Sequence, residues 1–402
     1  MRFTLGSDLR GRIAADTSYN LALSGMQKSN HILDALVDIG IHELQRVGQR
    51  SSFKSKFILQ MIEKFAITGA SRYKLNHLYV VAAELLDFKG HKDIELIENL
   101  MNSEYGLYSE RPLLWLWRFS TRQKKLQPTK IDNEDFHICW NEIFSKPSND
   151  LIVDIGCGMG VSLLNAAICS RSSIKEKEVP KETGDIDWVN TNFVGVDLNR
   201  LMTCYANGIV SRSELVQKQK CIYFFSVPGD SIMKTIFSSY PGKVSLVMIQ
   251  FPSPYRLETV KSGGNEQLPL SAQEGFMVND QLLEIVADVL KINGGKGKLL
   301  FQTKCEDVAV HMKNRALDTG SFELISCNNS IFDIETDVYD KNNIKRPHRV
   351  DEWLNSNPNS ERAEGIFWSS TPLFPHFCKS ETEIACEADG TFVHRFIMKA
   401  II

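Results

Sequence analysis

The stretch Leu151-Ile-Val-Asp-Ile-Gly-Cys-Gly-Met-Gly160 decides the fold. Leu151, Ile152 and Val153 make an apolar run of strand length, and Asp154 stands at its carboxyl end. Gly156, Gly158 and Gly160 follow at every second position, which suits a tight loop whose backbone must come close to a ligand. Val161-Ser-Leu-Leu-Asn-Ala-Ala167 then supplies good helix formers. Strand, glycine loop and helix form the first unit of an open α/β sheet, which binds ligands at the carboxyl ends of its strands.

Working outward, Phe193-Val-Gly-Val-Asp-Leu-Asn199 reads as the second strand, with Asp197 at its tip and Leu198 beside it. A carboxylate there can accept hydrogen bonds from both hydroxyls of a ribose. Asp154 and Asp197 are 43 positions apart, against roughly 20 in the usual geometry. Residues 170–188, rich in Lys and Glu, read as a surface insertion that accounts for the excess. The glycine spacing is G-x-G-x-G, not the dinucleotide G-x-G-x-x-G. It resembles the first motif of class I S-adenosylmethionine (SAM) methyltransferases. That resemblance implies SAM as the cofactor, held by Asp154, Gly156, Gly158, Gly160, Asp197 and Leu198.

Alternation of strand and helix continues down the chain. A helix is expected over 200–213, a strand over 222–225 and a helix after Pro228-Gly-Asp-Ser231. Asp230 and Ser231 occupy the place where methyltransferases often hold the adenine amino group. Further strands are expected over 244–251, 297–303, 322–326 and 392–398, with helices over 279–291 and 306–317. The pattern predicts an α/β fold: a doubly wound, mostly parallel, seven-stranded Rossmann-like methyltransferase sheet over 136–402. Residues 136–144 look like a helix leading into the first strand.

Ahead of it, residues 1–128 read as a helical domain. Apolar residues recur at three- and four-residue spacing over 29–48, 56–68, 72–88 and 92–104, with Ile32, Leu36, Ile39 and Leu44 marking the first helix. Arg111-Pro-Leu-Leu-Trp-Leu-Trp-Arg-Phe-Ser120 mixes aromatic and basic residues. It fits either a surface that stacks on RNA or a last helix that packs its tryptophans inward. Residues 127–135, polar and containing Pro128, form the expected linker. The helical domain is therefore a candidate contact for RNA or for a protein partner.

The chain has 402 residues and a net charge of -3, distributed unevenly. Residues 1–130 carry 19 Lys and Arg against 13 Asp and Glu, while the remainder carries 27 against 36. No run of 18 apolar residues occurs, so no membrane span is expected. The nine cysteines include no CxxC pair and no Cys/His cluster at zinc spacing, which predicts reduced, intracellular thiols and no metal, with cytoplasm and plastid or another organelle left open. The first 20 residues lack the apolar core of a secretory signal, and Asp8 and Asp16 are out of place in a transit peptide.

The tip of the fourth strand bears on the acceptor. Gln250-Phe-Pro-Ser-Pro-Tyr255 lacks the adjacent prolines of N6-adenine and amide methyltransferases. It resembles the Phe-Pro-Asp-Pro-Trp loop of tRNA (guanine-N7)-methyltransferases, and the longer plastid-type members of plants look most similar. Leu299-Leu-Phe-Gln-Thr-Lys304 and Ser380-Glu-Thr-Glu383 resemble two further family segments, and the likeness covers about 138–400. It implies methyl transfer from SAM to guanine N7 in tRNA. Ser253, Pro254 and Tyr255 would then lie at the reacting centre, Gln250 at the cofactor, and Arg256, Lys304, Ser380 and Glu383 at the RNA. The family's Asp between the prolines is Ser253 here, and the Asp after the strand-five Thr is Lys304. A SAM enzyme with a different substrate and a non-catalytic RNA-binding member remain as alternatives.

Overall fold

The structure, a computed structural model, describes residues 30–47, 61, 64, 65, 78, 81, 138–169, 179–212, 219–257, 268, 269, 271–292, 296–327, 347–375 and 378–401. Helix α1 (Asn30–Val47) matches the first expected helix. Its buried stripe is Leu33, Val37, Ile41 and Leu44, whereas Ile32 and Ile39 are exposed. Of the four residues expected to mark its apolar face, Leu44 is buried and Leu36 half-buried, while Leu33, Val37 and Ile41 take the inner places of the two exposed isoleucines. Phe65 packs so closely on this helix that a Cβ at Gly40 would stand 2.7 Å from its ring. The expected helix over 92–104, the aromatic stretch and the linker lie outside the described residues, as do most positions of the two helices between.

The helix expected over 136–144 shrinks to one turn, α2 (Trp140–Ile143). Trp140 locks it against the sheet domain, stacking on Phe144 and donating its Nε1–H to Ser239 at 3.0 Å. Then follow β1 (Asp150–Ile155), α3 (Val161–Cys169), β2 (Thr191–Val196), α4 (Arg200–Arg212), β3 (Ile222–Phe225) and α5 (Gly229–Ser239). The second half holds β4 (Val244–Gln250), α6 (Asp280–Lys291), β5 (Lys298–Thr303), α7 (Glu306–Asp318) and β6 (Phe322–Leu324). Helices α8 (His348–Ser356) and α9 (Glu381–Asp389) and strand β7 (His394–Ala400) close the chain. Neither α8 nor α9 was expected.

The seven strands run in the order β3-β2-β1-β4-β5-β7-β6, parallel from β3 to β5, with β7 antiparallel to both its neighbours. This is the doubly wound, mostly parallel, seven-stranded Rossmann-like sheet that the alternation predicts. The chain turns from one half to the other between β1 and β4, the switch point where such sheets bind ligands.

Strands buried on both faces read as continuous apolar runs. Leu151, Val153 and Ile155 feed one core with Val247, Ile249 and Phe301; Ile152 feeds the other with Phe193, Leu246 and Leu300. The insertion over 170–188 is not wholly a surface loop. Ile186 and Trp188 near its end are buried in the second core, and the Thr183 hydroxyl donates to the Leu373 carbonyl at 2.9 Å. Its charged composition concealed two anchors.

Phe224 explains two glycines. Its ring packs so tightly on β2 and the end of the glycine loop that a Cβ would stand 2.2 Å from it at Gly160 and 2.3 Å from it at Gly195. Gly195→Ala should therefore destabilise the protein by about 1–3 kcal/mol through overpacking. Urea denaturation should show Phe224→Leu recovering much of that loss in the double variant. Strictly additive losses would contradict the packing account.

Candidate functional site

The residues quoted first converge. After Ile155 the chain enters the loop with Gly156 at φ 85°, Gly158 at 56° and Gly160 at 72°, all in the region a Cβ disfavours. The backbone N–H groups of Gly156 and Cys157 donate to the Val196 carbonyl at 2.7 and 3.0 Å, so the loop is stitched to the end of β2. A cavity of about 480 Å³ opens there, at the switch point. Asp154, Gly156, Gly158, Asp197, Leu198, Asp230, Gln250 and Ser253 all line it. Gly160 does not; it makes room for Phe224 and opens α3. Ser231 is also absent from the wall, one step along α5 from Asp230.

Each acid is held differently. Asp197 accepts the Gly158 N–H at 3.0 Å on one oxygen and the Asn199 N–H at 2.7 Å on the other. Burial raises its pKa, and these two bonds draw it back in part. Asp154 is 1% exposed. One of its oxygens accepts from Gln250 Nε2 at 2.8 Å; the other is buried without a hydrogen-bond partner. Desolvation carries its pKa up to about 8, against the Gln250 bond and with the nearby charges of Glu381 and Asp197 adding to the rise. An orphaned buried carboxylate oxygen costs free energy until a donor or cation reaches it.

Gln250 is a positioning residue as much as a wall. It ties Asp154 into a row that crosses the carboxyl ends of the strands. Gln302 Nε2 donates to Gln250 Oε1 at 2.7 Å, and Arg395 Nε donates to Gln302 Oε1 at 3.1 Å. Arg395 Nη2 then donates to Glu383 at 2.7 Å, with the two side chains 3% and 0% exposed. Glu383 neutralises the buried arginine and does not line the cavity.

Its neighbours take the place expected of it. Ser380, Glu381 and Thr382 line the cavity. Ser380 caps α9, its hydroxyl accepting the Glu383 N–H at 3.3 Å. The string Ser-x-x-Glu before an apolar position is a capping-box signature, and it was the available signal for this helix. The carboxylate that would complete the box goes to Arg395 instead. Met277 and Asn279 also line the cavity, and Asn279 caps α6; nothing in their local sequence marks a site.

The proline loop forms the mouth. Phe251 sits at φ 48°, a left-handed conformation rare for a bulky residue, and lines the cavity. Pro252 and Ser253 line the cavity and Ser253 is exposed, while Pro254 stands just outside the wall. Tyr255 does not line the cavity. Its ring meets Phe276 at 5.3 Å and His311 at 5.4 Å edge-on, with the Arg349 guanidinium 4.8 Å from its centre. Arg349 also donates to the Tyr255 carbonyl and holds Asp307 at 2.9 Å. Tyr255 thus clamps the loop to α7 and α8, a correction to its expected place beside a base; its Pro-Tyr context gave no hint of the arginine, 94 residues away. Arg256 lies beyond the mouth, its N–H on the Pro269 carbonyl at 3.0 Å, and Lys304 is exposed before α7.

The wall carries four carboxylates, Asp154, Asp197, Asp230 and Glu381, and among the described residues no Lys, Arg or His. These described wall residues suit a ligand with a ribose-like diol and positive charge. SAM fits on the chain's own terms: its diol suits Asp197, a cationic end suits the orphaned oxygen of Asp154, and the glycines leave room. Among the described residues no group of His, Cys, Asp and Glu could hold a metal ion, and no helix is long and apolar enough to cross a membrane.

No protein-family model matches the chain, and no curated protein matches it. Solved structures do. An antibiotic-related methyltransferase is 12% identical with a TM-score of 0.31, over 69% of this chain and 98% of that one. The 16S rRNA methyltransferase KamB is 10% identical at 0.30, over 65% and 92%. The aminoglycoside resistance methyltransferase NpmB1 is 12% identical at 0.31, over 66% and 95%. At such values these are likenesses only, and the chemistry is read from this chain's own residues.

The Asp154 pKa has a consequence for stability. Raised from 3.8 to about 8 in the fold, the group stabilises the ligand-free protein fully at acid pH and loses that contribution as pH climbs to about 8. Asp154→Asn should therefore flatten the decline in stability between about pH 5 and 8, by up to about 1.4 kcal/mol per pH unit, and be more stable than wild type at pH 8. Denaturant titrations across that range are the check. Parallel pH profiles for the two proteins would contradict the buried, unpaired carboxyl.

Proposed function

We propose that the chain binds SAM and methylates the N7 of a guanine in tRNA. The observation that carries the cofactor is the pair of acids at the tips of β1 and β2, beside a glycine loop, in a cavity whose described wall residues include no Lys, Arg or His. The guanine follows from the proline loop at the cavity mouth and its resemblance to the tRNA (guanine-N7) family.

When bound, SAM supplies an activated methyl group on a sulfonium. Guanine N7 carries a free lone pair and no proton at neutral pH, so the residues need only align it and exclude water. Pro252 and Pro254 fix φ on either side of Ser253 and stiffen the loop. Tyr255, gripped by Arg349, anchors its far end. The Ser253 hydroxyl donates to or accepts from the guanine edge, and Ser380 approaches across the cavity. Arg256 and Lys304 stand outside the acidic wall, where a phosphate backbone would run. Residues 1–128 serve in this reading as a separate helical unit that contacts the RNA or a protein partner. Transfer to another acceptor is the second reading, favoured by one observation: Tyr255 and Glu383, two substrate residues implied by the resemblance, are both engaged in the core.

Asp197→Ala should weaken SAM binding by about 1–3 kcal/mol, the cost of unpaired hydroxyls; unchanged affinity would sink the assignment. Single-turnover transfer of labelled methyl to a tRNA transcript should yield 7-methylguanosine. Ser253→Ala should slow it roughly ten- to a hundredfold, the worth of one hydrogen bond. A different methylated nucleoside selects the second reading. No transfer while SAM binds normally contradicts the enzyme.

A further inference from the structure

Glu381 enters the site from the far end of the chain, and no motif marks it. It is the first residue of α9. Its carboxylate lies directly over the glycine loop: a Cβ at Gly158 would stand 2.8 Å from its Oε1. The backbone N–H of Met159 and its own N–H hold it there. Gly158 is thus flanked by two acids, donating its N–H to Asp197 and lying under Glu381. The third acid, Asp154, keeps a buried oxygen with no partner in the same cavity.

These carboxylates oppose one another. The charge of Asp197 raises the pKa of Glu381, and both raise that of Asp154, in each case after desolvation as the larger cause. No cation of the described wall relieves them. Lys379, the nearest base in sequence, is turned to Glu387 at 2.7 Å. In the empty cavity the proton that Asp154 keeps up to about pH 8 relieves them in part, and a cationic ligand would do so in its place. If the cavity is a SAM site, the charge of that ligand changes during turnover: when the methyl leaves, sulfur keeps the bonding pair, and the net charge falls from +1 to 0.

We propose that Glu381, acting with Asp154, makes this cavity charge-selective, so that it holds the cationic sulfonium donor more tightly than the neutral thioether left after methyl transfer. Glu381 is the specificity element because it reaches the glycine loop from a separate helix. Selectivity of this kind favours exchange of spent cofactor for fresh. The proposal rests on the SAM reading of the cavity.

The test is titration calorimetry on the full chain with three probes: SAM, S-adenosylhomocysteine, and an analogue with an ammonium-bearing carbon in place of the sulfonium. Wild type should bind SAM and the ammonium analogue about tenfold or more tightly than S-adenosylhomocysteine, a difference equal to about 1.4 kcal/mol. Glu381→Gln, with folding checked by thermal melting, should lower affinity for the two cations about tenfold and for the thioether less than about threefold. Glu381→Asp should restore part of the preference. Should Glu381→Gln fail to fold, the three affinities of wild type still decide. Equal wild-type affinity for all three, or an equal loss for all three in Glu381→Gln, overturns charge selection while leaving the cofactor site standing. Binding of none of them overturns both.

Discussion

Everything at the ligand end of the sheet depends on keeping a carboxylate dry. Asp154 occupies the same face of β1 as Gln250 on β4, Gln302 on β5 and Arg395 on β7, one polar residue per adjacent strand. Glu383 closes the row from α9, and the Ser162 hydroxyl, reaching from α3 to the Cys378 carbonyl at 2.5 Å, covers it. Inside a protein a polar row of this kind is stable only when each member is satisfied. Here it is, save for one oxygen of Asp154, and that oxygen belongs to the cavity. The unsatisfied atom is where a ligand's binding energy has most to gain.

The same row fixes the elements around it. Arg395 is buried because β7 runs antiparallel beside β5, which sets it against Gln302. Removing either Glu383 or Arg395 would strand a charge in the core, at a cost of about 3–5 kcal/mol. The helix that supplies Glu383 also brings Ser380, Glu381 and Thr382 to the cavity. The carboxyl-terminal segment is therefore part of the site, although the glycine loop lies more than 200 residues earlier. Arg349, itself held by Asp307, grips Tyr255, so the proline loop too is secured from the carboxyl-terminal half.

What the residues announced was local. The glycine triplet, the acids that end β1 and β2 and the run from Val244 to Gln250 were legible because strand, turn and helix leave short-range patterns. Asp230 and Ser253 followed from their places after strands. The misreadings share one physical cause, contact between distant segments. Tyr255 looked like a base-lining residue until Arg349 was found on its ring, and Glu383 looked substrate-facing until Arg395 claimed it. Gly160 seemed to belong to the ligand and belongs to Phe224. Glu381 escaped notice because an acid in the first turn of a helix is ordinary; only the fold reveals that this one rests on Gly158. Ile186 and Trp188 were hidden by the charged residues around them.

The central claim is that four acids and a glycine loop make a receptor for a cationic adenosyl ligand. Its most direct measurement is a pair of calorimetric titrations of the full chain, one with SAM and one with NAD, whose pyrophosphate sets negative charge against the same wall. The account predicts one SAM bound per chain and no measurable heat with NAD under the same conditions. Binding of NAD, or failure of SAM to bind, would contradict it.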